Sequence, residues 1–170
     1  MENQLNLFEV DRAARYLDEE RKVQRILESR GYTVMRSSGE FNESDLILGR
    51  EIDNRLTVVG FAEIKSREFA GKSPMTLEYI RQNKGYLISL SKLKHGQRIS
   101  SFHKVPYFLL VNLMLTRQLL IFQITDSNGD FVYPFESNYT ETKLNVNGGS
   151  VTRLNAFLPA EGDFFTHSRY

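Results

Sequence analysis

Three stretches of this chain have the form acid-x-lysine, a spacing at which a carboxylate and an ammonium could serve one reacting group: Glu20 to Lys22, Glu63 to Lys65 and Glu141 to Lys143. The triplet alone discriminates little, because about one is expected by chance at ordinary charged-residue usage. Context separates the three. Glu20 and Lys22 fall in a helical stretch, where residues two apart do not face each other. Glu141 and Lys143 fall in a polar stretch without a strand core. In "TVVGFAEIKSRE", residues 57–68, strand alternation puts Phe61, Glu63 and Lys65 on one face and Gly60, Ala62 and Ile64 on the other. The bland reading of Glu63 and Lys65 is an exposed ion pair worth under about 1 kcal/mol. Two further carboxylates count against it. Asp45 opens the apolar run "DLILG", placed so that neighbouring strands would bring it beside Glu63 at one sheet end. Two carboxylates brought together repel, and a hard divalent cation is the common remedy. Glu20 falls in the middle of an apolar helical stripe, between Tyr16 and Leu17 on one side and Val23 and Leu27 on the other. A carboxylate there must be paired, protonated or metal-linked. Its bland reading is a charge satisfied by an arginine or a tyrosine hydroxyl, whereas Glu19 and Glu28 read as solvated charges at or beyond the edges of the stripe.

These residues need a framework. A helix is expected from about Phe8 to Ser29, stopped by Gly31. "YTVMRSS", "DLILG" and "RLTVVGFAEIK" read as strands from their β-branched content and Gly/Asn punctuation. "YLISLSKLKHGQRISSFH", residues 86–103, spaces Leu87, Leu90 and Leu93 or Lys94 as an amphipathic helix does, with Gly96 a soft spot costing about 1 kcal/mol relative to alanine. "VPYFLLVNLML" reads as a strand buried on both sides, and "LLIFQIT" as another. The expected class is α/β (α+β), a mixed central sheet flanked by helices in α-β-β-β-α-β order, with a core over about 8–125. Residues 126–170 read as a β-rich elaboration, with a hairpin around Asn147 and Gly148 and an aromatic tail, "DFFTHSRY", that packs rather than stacks on bases.

The 170 residues suit one domain, 1–170, and their 41% hydrophobic and 25% charged content is ordinary for a globular protein. No apolar run approaches the roughly 20 residues needed to span a bilayer, so no membrane partner is expected. The absence of cysteine excludes a disulfide framework and thiolate catalysis. With no secretory pattern in "MENQLNLFEV", a cytoplasmic location is the expectation. The formal net charge of +1 hides an asymmetry. From Tyr79 to Thr125 there are seven Lys or Arg and not one Asp or Glu. Such a segment suits a polyanion, or it is a solvated basic face.

Taken together, "ERKVQRILESRGYTVMRSSG", "SDLILG" and "FAEIKSR" resemble the PD-(D/E)xK nuclease superfamily, and within it the archaeal-type Holliday-junction resolvases. The resemblance implies a restriction-endonuclease-like core. The family's Pro-Asp corresponds to Ser44-Asp45, which loses the proline and keeps the acid; its acid-x-lysine is Glu63, Ile64 and Lys65, intact. A Ser-Gly pair of the resolvases corresponds to Ser38 and Gly39. The resemblance further implies that Asp45, Glu63 and the Ile64 carbonyl bind Mg²⁺, for which Mn²⁺ would substitute, with Glu20 reaching the ion through water. Lys65 would orient the attacking water and stabilise charge on the phosphate. Lys92, Lys94, Arg98 and Lys104 would then contact DNA phosphates, and Gln97 could point toward the site. His95 and His103 read as solvated surface. The implied function is a Mg²⁺-dependent DNA endonuclease, resolvase-like or of homing or restriction type, working as a homodimer or higher homo-oligomer. The alternative is a DNA-binding or assembly protein that keeps the fold without catalysis.

Overall fold

The computed structural model describes residues 7–37, 44–143 and 150–170. Ser38, Gly39 and the turn expected at Asn147 and Gly148 lie outside the described residues. In chain order the elements are α1 (Leu7–Ser29), β1 (Thr33–Arg36), β2 (Leu46–Ile52), β3 (Arg55–Arg67), β4 (Phe69–Ala70), β5 (Ser73–Pro74) and α2 (Leu77–Gln82). They continue as β6 (Tyr86–Ser89), α3 (Leu90–His103), β7 (Tyr107–Leu113), β8 (Gln118–Thr125), β9 (Glu136–Lys143), β10 (Ser150–Leu158) and β11 (Phe165–Arg169). α1 stops as its sequence suggests: Gly31 takes a φ of +83° and its N–H returns to the Glu28 carbonyl at 2.9 Å.

A six-stranded mixed sheet in the order β1-β2-β3-β7-β8-β11 forms the centre. β2 and β3 make a hairpin through Asp53 and Asn54, both at positive φ as a type I′ turn requires. β3 and β7 are parallel, so the chain between them must cross over, and it does so through β4, β5, α2, β6 and α3. The two faces of the sheet are covered differently. Ala62 and Ile64 of β3, with Leu110 and Leu119, meet Val23 and Leu27 of α1. Phe61, Leu109, Val111 and Phe122 meet Leu93 and Ile99 of α3. The apolar run over β7 is buried on both sides for this reason, as its composition predicts.

The helix expected over 86–103 begins only at Leu90. Tyr86 to Ser89 form β6, in which Tyr86 and Ile88 are buried and Leu87 is exposed, the period of two that a strand imposes. Its partner is β10, with Leu158 opposite Tyr86 and Asn155 opposite Ser89, and β9 completes this three-stranded sheet. Residues 126–170 are β-rich as expected, and they are knitted into what precedes them, β10 onto β6 and β11 onto the edge strand β8 of the main sheet. Gly96 is a contact rather than a weakness: a Cβ there would lie 2.3 Å from the Tyr107 ring, so only glycine lets α3 sit this close to β7. Among the described residues no helix is long and apolar enough to cross a membrane.

Candidate active site

Register brings the first two carboxylates together. Leu46 of β2 pairs with Ala62 of β3, so Asp45, one residue before β2, stands opposite Glu63. The Asp45 Oδ2 accepts the Ile64 N–H at 2.8 Å, which fixes that carboxylate against the strand carrying the second one. Ser44, where the resembling nucleases have proline, is buried and donates its hydroxyl to the Leu46 carbonyl at 3.1 Å. Glu63 and Lys65 share the face under α3, as alternation predicts. Lys65 Nζ lies 2.6 Å from Glu63 Oε1 and 3.9 Å from Asp45 Oδ2.

Glu63 is no surface trim, being only 3% exposed. Burial pushes its carboxyl up, but Lys65 and then Lys92 outweigh it and hold the group below the usual carboxylate range. Lys92, in the first turn of α3, places its Nζ 3.0 Å from the same Oε1. One buried oxygen therefore has two ammonium groups beside it. The Tyr107 hydroxyl is pushed well above the usual tyrosine value by burial and by the negative charges of Glu63 and Asp45. It borders the site as a neutral group.

α1 supplies Glu20 and, unexpectedly, Glu19. The stripe that meets the sheet runs through Glu19, Val23 and Leu27, while Leu17 is exposed, so Glu19 is the buried carboxylate and not a solvated edge charge. It is satisfied there: Asn112 Nδ2 donates to Glu19 Oε2 at 3.1 Å and Lys22 is hydrogen-bonded to Oε1. Asn112 is itself fully buried, also donates to Ser66 Oγ at 3.4 Å, and accepts the Tyr170 hydroxyl. The signal for this was a single asparagine inside an apolar run. Glu20 is half-buried at the edge of the stripe, with Arg36 Nη2 3.2 Å from its Oε2. Burial raises its carboxyl above the ordinary value against the pull of Arg36, and the charges of Asp45 and Lys65 reach it as well. Glu20 thus borders the strand carboxylates while paired with an arginine.

Of the basic residues proposed for DNA, Lys92 lies in the carboxylate site itself. Lys94, Arg98 and Lys104 are exposed on or at the end of α3. Gln97 is half-buried, and its backbone carbonyl lies against the Gly129 turn. His103 is exposed and its ring lies 4.7 Å from that of Phe61, whereas His95 is half-buried with Nε2 buried, so it is not simply solvated. Two arginines join that sequence reading did not single out. Arg67 and Arg153 line a cavity of about 650 Å³ between the end of β3, β6 and β10, which Lys65 and Lys92 border and which, among the described residues, no acidic one lines.

Among the described residues no three His, Cys, Asp or Glu side chains come together as a group that could hold a metal ion, so Glu20 does not join Asp45 and Glu63 directly. The hard oxygens at hand are the carboxylates of Asp45 and Glu63, on adjacent strands and both beside Lys65 Nζ. Two such carboxylates fit an ion that keeps several waters, as Mg²⁺ does, and such an ion would have to displace the ammonium groups that now pair with Glu63.

The chain matches no curated protein and no solved structure. A family model described as "Phage putative PDDEXK endonuclease" matches residues 10–130, a span holding Glu20, Asp45, Glu63, Lys65 and Lys92. A mixed sheet flanked by helices, with an acid-x-lysine on the central strand β3 and an aspartate opposite it, is the restriction-endonuclease-like fold that such a match calls for. The chain belongs to this endonuclease family and so to the PD-(D/E)xK nuclease superfamily.

Proposed function

We propose that the protein is a Mg²⁺-dependent DNA endonuclease that hydrolyses phosphodiester bonds. The observation that carries this reading is the placement of Asp45 opposite Glu63 with Lys65 Nζ 2.6 Å from the Glu63 carboxylate. Asp45, Glu63 and the Ile64 carbonyl would hold the ion, with Glu20 reaching it through water. The chemistry it supplies when bound is a more acidic water and a polarised phosphate. Lys65 would orient the attacking water and stabilise the negative charge that grows on the phosphate as the new P–O bond forms and the ester P–O bond breaks. Lys92 is a second cation for the same charge. Holliday-junction resolution, homing and restriction differ in substrate shape, and one site per chain makes a homodimer the simplest way to cut two strands.

The test is incubation with supercoiled, linear, branched and single-stranded DNA, with Mg²⁺, Mn²⁺ or chelator. Cleavage that requires the metal and falls at least a hundredfold in Glu63→Ala and Lys65→Ala is the expected result. Undiminished cleavage by either variant would move the reaction elsewhere. A second reading, a DNA-binding protein without catalysis, is favoured by one observation: the Glu63 oxygen is already neutralised by two ammonium groups. Calorimetry showing no divalent-ion binding, together with salt-sensitive DNA binding, would establish that reading instead.

A further inference from the structure

The cavity that opens beside the carboxylates has chemistry the cleavage site alone does not require. Lys65 and Lys92, both paired to Glu63, form one side, so whatever fills the cavity adjoins the reacting group. Arg67 and Arg153 add two more positive charges, and among the described residues no acid lines the cavity opposite them. The N-terminus of α3 lies at the same wall. Its Ser89 places the hydroxyl 2.7 Å from Ser91 Oγ and makes no side-chain cap, and the first turn carries no acid, so the positive end of the helix is uncompensated. These features suit phosphate.

The remaining walls suit something else. Phe69 on β4 is half exposed, and Phe157 and Met75 line the interior. Tyr86, 1% exposed, keeps its hydroxyl buried without a hydrogen bond of normal geometry, with Arg67 and Glu63 as the charges it feels. A free phosphate would leave the aromatic walls without a partner. Cations along a groove with aromatic rings between them are how single-stranded nucleic acid is held, backbone on the charges and base on the rings. At about 650 Å³ the cavity is of the size that encloses a small molecule, hence one nucleotide and not a duplex.

On the nuclease reading above, we propose that this cavity binds one unpaired nucleotide of the cleaved strand, so that the preferred substrate carries an unpaired base beside the scissile phosphate. A base stacked inside a duplex cannot reach the cavity without being extruded, and extrusion costs least where the base is already unpaired. Discrimination between paired and unpaired DNA follows from that difference.

The full chain is titrated, in chelator to block cleavage, with a fully paired duplex and with the same duplex carrying one bulged 2-aminopurine. The bulged DNA is expected to bind at least tenfold tighter and its fluorescence to be quenched on binding. Phe69→Ala and Arg153→Gln, both at exposed positions and checked for folding by circular dichroism, are each expected to cut that ratio below threefold. Equal affinity for the two DNAs, or a ratio unmoved in both folded variants, would overturn the proposal. Repeating the series with Mg²⁺ separates it from the nuclease reading. A binding preference that persists with no cleavage of any DNA keeps the cavity and removes the enzyme. Cleavage at equal rates of paired and bulged DNA without quenching keeps the enzyme and removes the cavity.

Discussion

Glu63 shares one oxygen between two lysines, and the two lysines are not equivalent. Lys65 is largely enclosed, whereas Lys92 is half exposed and its pairing is worth about 1 kcal/mol or less. On the proposed metal site, a divalent ion would have to compete with both. Lys92→Ala should therefore lower the Mg²⁺ concentration at half saturation by up to about fivefold, read by calorimetry, while the Glu63 carboxyl moves back up toward its ordinary value. A weaker Mg²⁺ affinity in that variant would show that Lys92 does not compete. Glu19 offers a second measurement. Burial raises its carboxyl, the hydrogen bonds from Lys22 and Asn112 outweigh that, and the group ends below the ordinary glutamate value of 4.5. A carboxyl lowered by folding stabilises the protein above the unfolded value and loses that contribution as pH falls through the folded one. Asn112→Ala should cost about 1–3 kcal/mol at pH 7 and flatten the fall of Tm below pH 4.5. The Asp45, Glu63 and Lys65 placements were legible because strand alternation has a period of two and a mistake of one residue would have moved every apolar neighbour to the wrong face. Glu19 and Glu20 were not separable in this way. They stand only 100° apart on the helix, and a buried carboxylate is invisible until its asparagine, on a strand far along the chain, is known.

At the scale of elements, the junction of β6 and α3 decides where Lys92 sits. Residues 86–103 satisfy a helical spacing throughout, and what turns the first four into a strand is the edge of β10, which no local propensity reports. Once the helix starts at Leu90, Gly96 faces Tyr107 and sets how close α3 lies to the sheet. Gly96→Ala gains about 1 kcal/mol of helix propensity and incurs overpacking of about 1–3 kcal/mol. A lower Tm is expected, with cleavage reduced further than stability alone accounts for, since α3 must move outward and carry Lys92 from Glu63. A higher Tm would show that the helix absorbs the methyl group without shifting.

The molecule as a whole is closed by its last strands. β11 covers the edge of β8, and Phe165 packs 5.1 Å from the buried ring of Phe122. Nothing in "FTHSR" alternates apolar with polar in the manner of a core strand, so the tail reads as packing and its place in the sheet is hidden. Ending the chain after Ala160 would bare a flat strand edge over an aromatic core. That shortened protein should elute from size exclusion as aggregates, where the full chain gives a defined species; a defined species from both would show β11 to be dispensable. The pairing of β6 with β10 has a different consequence, in time. Tyr86 to Ser89 wait for a partner about seventy residues downstream. On a ribosome that adds residues in order, Asp45 and Glu63 can meet while one wall of the cavity does not yet exist. On the proposed reading, the nascent chain assembles its reactive ions first and its means of choosing what they act on last.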